Sequence, residues 1–284
     1  MIYKKLILSG YVLLFMTGFN YVAIAQRQNV LSKDETKINF HAEGKGKPVL
    51  VFVHGWSCDK SYWNDQVKAF SPKYKVVTID LAGHGESGSK RKNYTMELFG
   101  EDVATVVNKL KLDKVILIGH SMGGSVIIEA AKRLKRKVIG LVGADTYQSF
   151  KEDWTAEQKE GFLKPFTEKF VDVTKGFVKS MFPKTADSVL VKRIADDMSS
   201  APPQVALSAM RNLFFYDPIP VLNEIQLPII SINCDMYPVA VEENRKYVKS
   251  YNVKMMKGVG HFVMLEDKDK FNQLLKEAIN ELVK

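Results

Sequence analysis

The stretch "VILIGHSMGGSVII" (residues 115–128) decides the fold. A β-branched apolar run stops at Gly119, two glycines follow Met122, and a second apolar run resumes at Val126. The first run reads as a strand and the second as a helix, so Ser121 stands where one becomes the other. Gly119-His120-Ser121-Met122-Gly123 fits the pattern G-x-S-x-G. In that pattern a serine sits on a sharp strand-to-helix turn with a strained backbone. Its neighbours two residues away must be small for the chain to fold back tightly. The turn lifts the hydroxyl clear of the sheet, and the helix behind it aims free N–H groups at the reacting centre. Ser121 is therefore the candidate nucleophile.

Strands and helices alternate on both sides of this stretch. "KINFHAEG" (37–44), "PVLVFV" (48–53), "KVVTID" (75–80), "KVILIG" (114–119) and "KVIGLVGAD" (137–145) read as strands. Between them, "SYWNDQVKAF" (61–70) and "TMELFGEDVATVVNKL" (95–110) carry helical spacing, with Thr95 placed to cap the second. From Gln148 to Pro218 no convincing strand occurs. Amphipathic helical pieces run there between the breakers Pro165, Pro183, Pro202 and Pro203. Alternation then resumes with "PIISIN" (228–233), a helix over "VEENRKYVKSY" (241–251), "VKMMKG" (253–258) and a last helix over 267–283. Uninterrupted apolar strands alternating with helices imply a mostly parallel α/β sheet covered on both faces. The expected organisation is a core of residues 26–147 and 219–284 interrupted by a helical cap, 148–218.

A serine hydroxyl needs a base to take its proton. His41 falls inside a strand, His54 and His84 lie in early loops beside glycines, and His120 sits within the turn, packed against the core. His261, in "KGVGHFVMLED" between the last strand and the last helix, is the candidate base. An acid must fix its tautomer and stabilise the imidazolium. In chain order serine, acid, histidine, Asp235 after "PIISIN" is the first choice, and Asp145 at the end of the preceding strand is the alternative. A tetrahedral oxyanion needs donors held in place in advance. The N–H of Met122 and that of Trp56, in His54-Gly55-Trp56, are the candidates. Asp80, in "DLAGHGES" (80–87), precedes the serine and reads as a structural hydrogen-bonding residue.

Length, charge and cysteines narrow the function class. The 284 residues suffice for one large domain carrying an insertion. Lys4 and Lys5, an apolar stretch and the small residues Ala23 and Ala25 read as a secretory leader cut after Ala25, hence a secreted or periplasmic protein. The alternative is an uncleaved anchor, since the stretch is close to the ~20 residues that span a bilayer. The formal charge of +9 is not gathered into a lysine or arginine block, and signs alternate along "KEDWTAEQKEGFLK". A solvated basic surface is expected, without nucleic acid as a partner. Cys58 and Cys234 fall on well-separated strands, so no disulfide is expected. No C-x-x-C or H-E-x-x-H spacing suggests a metal. "GHGESGSK" (83–90) departs from a phosphate-binding loop because Arg91 follows its lysine. Nothing in the sequence fixes an oligomeric state.

Taken together, "VHGW" (53–56), "DLAGHGES" (80–87), "GHSMGG" (119–124), Asp235 and "GHF" (260–262) resemble the α/β-hydrolase superfamily over residues 37–284. The resemblance is to its esterase, lactonase and cofactor-free haloperoxidase branch. It implies an eight-stranded, mostly parallel sheet with the triad at its carboxyl edge, roofed by a cap inserted after strand 6. It also implies a small-molecule substrate and no cofactor. The strand that usually opens such a sheet is not visible between Gln26 and Thr36, so it is expected to be missing or degraded. "INCDMYP" departs from the usual form, with asparagine where glycine is common. Dehalogenases and epoxide hydrolases are excluded, because they carry aspartate where this chain has Ser121. The expected activity is hydrolysis of a small carboxylic ester, lactone or thioester through an acyl-enzyme. Carbon–carbon bond, amide or perhydrolase chemistry on the same triad is the alternative, and a receptor-like ligand binder is the reading from another class. The cap residues Phe162, Phe166, Phe177, Met181, Phe182, Met210, Leu213, Phe214 and Phe215 are expected to divide between pocket lining and cap core.

Overall fold

In the computed structural model, residues 28–151 and 153–284 are described, and the expected leader lies outside the described residues. Eight strands form one sheet: β1 (Gln28–Leu31), β2 (Lys37–Glu43), β3 (Val49–Val53), β4 (Val76–Ile79), β5 (Val115–His120), β6 (Val138–Ala144), β7 (Pro228–Cys234) and β8 (Ser250–Met256). Their order is β1-β2-β4-β3-β5-β6-β7-β8. The β1–β2 and β2–β4 pairs are antiparallel, and every other pair is parallel. All residues of β3 and β5 are buried, which is why these segments read as unbroken apolar runs. The chain leaves β3 for β4 on one side and later returns to β5 on the other. The loops after β3 and β5 therefore part at a switch point, where a crevice opens at the carboxyl edge.

Helices follow the strands in the expected rhythm: α1 (Asn64–Phe70), α2 (Met96–Lys109), α3 (Met122–Leu134), the cap helices α4 (Ala156–Glu168), α5 (Phe170–Ser180), α6 (Ser188–Ser199) and α7 (Pro203–Phe214), then α8 (Ile219–Ile225), α9 (Val241–Asn244), α10 (Val263–Glu266) and α11 (Lys268–Leu282). Thr95 caps α2 by accepting the Leu98 N–H. Among the described residues, no helix is long and apolar enough to cross a membrane. Cys58 and Cys234 are buried and free.

Two sequence expectations need correction. The opening strand is present: β1 pairs with β2 from Gln28↔Phe40 to Leu31↔Lys37. It spans four residues at the sheet edge, half-buried on one face and exposed on the other, so "QNVL" carries no apolar run to detect. The helix over 241–251 ends at Asn244. That side chain is buried, accepting from the Phe150 N–H (2.9 Å) and donating to Tyr147 O (2.8 Å). It ties the segment to the loop after β6, and the chain turns into β8 instead.

The first strand is pinned by charge as well as by pairing. Arg91 lies under the β1–β2 turn and donates to Asp102 of α2 (Nη1 to Oδ2, 2.7 Å) and to Asp34 (Nη2 to Oδ1, 3.2 Å). Ser32 Oγ donates to Asp102 Oδ1 at 2.6 Å. Asp102 has no exposed side-chain surface. Burial pushes its carboxyl up, and the guanidinium opposes that rise. Arg91→Met should therefore cost about 3–5 kcal/mol by stranding a buried carboxylate. Denaturant unfolding measures this, and a loss below about 1 kcal/mol would show that the pair is not what holds the turn.

Three buried histidines cluster at the carboxyl edge. His54 accepts the Leu81 N–H at Nε2 (3.0 Å), so its proton is on Nδ1, beside Gly55 O (2.8 Å). His84 Nδ1 donates to Ala82 O (3.0 Å), and His120 Nε2 donates to His261 O (3.0 Å). Burial holds all three below the ordinary histidine value of 6.5. Unfolded, these rings take up protons below that value, while folded they resist. Their contribution is thus complete above pH 6.5 and is lost as pH falls below it. The urea midpoint should be lower at pH 5.5 than at pH 7.5, an interval above the ordinary carboxylate range. A flat midpoint would contradict this.

Candidate active site

Ser121 occupies the turn between β5 and α3 with φ 50° and ψ −119°, a backbone that costs a non-glycine residue about 1–3 kcal/mol. The flanking glycines are required sterically. A Cβ on Gly119 would lie 2.3 Å from Gly123 O, and one on Gly123 would lie 2.6 Å from Val53 O and 2.7 Å from His54 O. The first turn of α3 thus rests directly on the ends of β3 and β5. Ser121 N–H donates to Ala144 O (3.2 Å), and Gly124 N–H donates to Ser121 O (2.8 Å). Among the described residues, the N–H groups of Met122 and Trp56 have no acceptor.

His261 is held from four sides. Its N–H donates to Met181 O of the cap (2.9 Å), and its carbonyl accepts from His120 Nε2. Its neighbours Gly260 and Phe262 donate their N–H groups to the two oxygens of Glu266 (2.8 and 3.1 Å). Its Nδ1 lies 2.6 Å from Asp145 Oδ2. The proton on Nδ1 then leaves Nε2 as the acceptor, without a hydrogen bond among the described residues.

Asp145, and not Asp235, is the acid in contact with His261. Asp145 leaves β6 in the left-handed region, φ 45°, and its side chain is fully buried. Its Oδ1 accepts the Cys234 N–H (2.9 Å) while Oδ2 faces His261. Asp235 is exposed, and its Oδ1 accepts the Gly258 N–H (3.1 Å), stapling the loop after β8. The cause is strand stagger. Ala144 pairs with Ile232, so Asp145 departs at the level of the site while Asp235 stands further out. The chain after Asp145 doubles back over glycines: a Cβ on Gly143 or Gly124 would meet Thr146 at 2.8 or 2.7 Å. A small residue two positions before Asp145 is the signal that distinguishes it from Asp235, which follows Asn233 and Cys234.

Asp80 behaves as the structural residue expected. It is buried and accepts from Lys60 N (2.8 Å), Lys60 Nζ (2.6 Å) and Glu86 N (3.0 Å).

Ser121, Asp145 and His261 line one cavity of about 580 Å3 beneath the cap. Of the cap residues singled out, Phe162, Phe177, Met181, Met210, Leu213 and Phe214 line it. Phe166 packs edge-on to Trp56, and Phe182 stacks on Phe262 at 5.1 Å. Phe215 faces solvent under Arg211, 5.2 Å from its ring centre. Trp154, Gln148 and Tyr237 also line the cavity, and no spacing in the sequence marked them. Trp56 joins the two layers: its ring lines the cavity, and its Nε1 donates to Ala206 O of α7 at 2.7 Å. Tyr62 adds a second tie, donating to Asp197 of α6 at 2.6 Å. Among the described residues, no group of three or more His, Cys, Asp or Glu side chains is placed to hold a metal ion.

Comparison with known proteins agrees with this architecture. The chain is 22% identical to a thermophilic esterase of Thermogutta terrifontis, with a TM-score of 0.78 over 91% of this chain and 99% of that one. It is 23% identical to 3-oxoadipate enol-lactonase 1 of Acinetobacter baylyi over 83% of this chain and 90% of that protein. A non-heme chloroperoxidase of Kitasatospora aureofaciens is 36% identical, over 33% of this chain and 34% of that protein. The chain spans only about a third of the length of the first curated relatives it matches. A model of the alpha/beta hydrolase family matches residues 50–274. With that match spanning most of the chain, and with the sheet and turn described above, this protein belongs to the alpha/beta hydrolase family.

Proposed function

We propose that the protein is a serine hydrolase that cleaves carboxylic esters through an acyl-enzyme. The observation that carries the reading is the 2.6 Å contact between His261 and buried Asp145, in one cavity with the strained Ser121. His261 Nε2 takes the Ser121 proton as Oγ attacks the ester carbonyl. The imidazolium that forms is stabilised by Asp145, whose second oxygen stays on the Cys234 N–H. The N–H groups of Met122 and Trp56 receive the developing oxyanion, Met122 from the positive end of α3. Collapse of the intermediate returns the proton from His261 to the leaving alkoxide and leaves Ser121 acylated. Water, deprotonated by His261, then attacks the acyl carbon, and the acid departs with Ser121 restored. The partial likeness to the chloroperoxidase favours a second reading in deacylation, with hydrogen peroxide replacing water and a peracid leaving.

Ser121→Ala should lower kcat on p-nitrophenyl butyrate on the order of a million-fold. It should also abolish labelling by a fluorophosphonate, with unfolding unchanged. Asp145→Asn should lower kcat about ten-thousand-fold, whereas Asp235→Asn, whose amide oxygen can still accept the Gly258 N–H at an exposed position, should stay within about twofold. Turnover retained in Ser121→Ala, or a larger loss from Asp235 than from Asp145, would overturn the respective assignment.

A further inference from the structure

The chain carries 41 Lys and Arg residues, yet among the described residues none lines the catalytic cavity. Its cap wall is built from Trp154, Phe162, Phe177, Met210, Leu213 and Phe214. The one carboxylate in the lining, Asp145, is already engaged on both oxygens. The Cys58 thiol, also in the lining, is pushed well up by burial and stays neutral. A carboxylate on the substrate would give up its water here and find no cation, and burying an unpaired charge is strongly unfavourable. A neutral chain or ring instead meets aromatic and thioether surface.

We infer that this cavity selects a neutral, apolar acyl group and excludes half-esters that carry a free carboxylate. The inference rests on the serine-hydrolase reading above. A matched pair tests it: p-nitrophenyl butyrate and mono-p-nitrophenyl succinate, alike in length, differ by a terminal methyl against a carboxylate. The expected kcat/KM ratio is at least about 100-fold in favour of butyrate. Leu213→Arg, which adds a cation to the lining, should narrow the gap by raising turnover of the succinate. A ratio near one, with fluorophosphonate still labelling Ser121, would overturn the selectivity alone. Absence of both labelling and ester turnover would overturn the serine-hydrolase reading and this inference with it.

A separate set of contacts concerns the base. The geometry points to Glu266 as a positioning residue for His261. Its two oxygens accept the N–H groups on either side of that residue, and it is half-buried. The groups against the imidazole are Asp145 from the end of β6, His120 from the end of β5 and the Phe262 ring, while Glu266 of α10 holds the backbone on either side of it. Burial pushes the Glu266 carboxyl up, and the two N–H groups oppose that rise. Glu266 thus fixes the loop on both sides of His261. Glu266→Gln keeps one acceptor and leaves the second N–H without one. It should lower kcat about 10- to 100-fold, with KM little changed and fluorophosphonate labelling of Ser121 slowed in step. Glu266→Asp keeps both acceptors but shortens the reach, so it should lower kcat less than Glu266→Gln. Full kcat in Glu266→Gln, or a loss that appears in KM rather than in kcat, would overturn the assignment.

Discussion

The site depends on how closely the first turn of α3 approaches the ends of β3 and β5. With the Gly123 backbone against Val53 O and His54 O, there is no room for a side chain on either flank of the turn. The chain can leave β5 for α3 at that distance only through a backbone that residues other than glycine avoid, and Ser121 adopts it. The strain is sustained because both flanks are immobile: β5 is buried throughout, and most of α3 is buried too. The same approach brings the helix's positive end and the loop after β3 to one point, so the placing of Ser121 and of the two free N–H groups shares a single cause.

Around that point the groups that hold His261 and Asp145 are engaged by hydrogen bonds, although His120 Nδ1 is buried without a partner among the described residues. Asp145 spends one oxygen on the backbone of β7 and the other on His261. The backbone of His261 is engaged by Met181 and His120, and its neighbours by Glu266. In surroundings of low dielectric, such contacts orient a ring far more firmly than they would in water. What they leave uncommitted on His261 is Nε2, the atom that the proposed proton transfer requires.

The sequence showed most of this, and its failures are physical. β3 and β5 were legible because strands buried on both faces read as apolar runs, broken in β5 only at its end by Gly119 and His120. Ser121 was legible because the turn tolerates so few side chains at 119 and 123. β1 was hidden, since a short edge strand with one half-buried face looks like any polar segment. Which aspartate meets His261 is not legible from chain order, which admits both. What separates them is the stagger of β6 against β7 and the left-handed backbone at Asp145, neither of which is a property of composition. Gly143 was the trace of that geometry in the sequence. Cap residues could be named but not sorted, because the side of a cap helix that meets the cavity is set by the core beneath it.

The contacts that tie the cap to the core bear on how such a protein can change. Met181 accepts the His261 N–H, and Ala206 accepts the Trp56 indole N–H, each through a main-chain carbonyl. A main-chain acceptor is indifferent to the side chain it carries. Cap side chains can therefore change while His261 and the loop after β3 stay anchored. The freedom ends at Gly260, where any Cβ would fall 2.3 Å from Met181 O. The cap is thus free to change in the side chains it presents and fixed in how its backbone is attached.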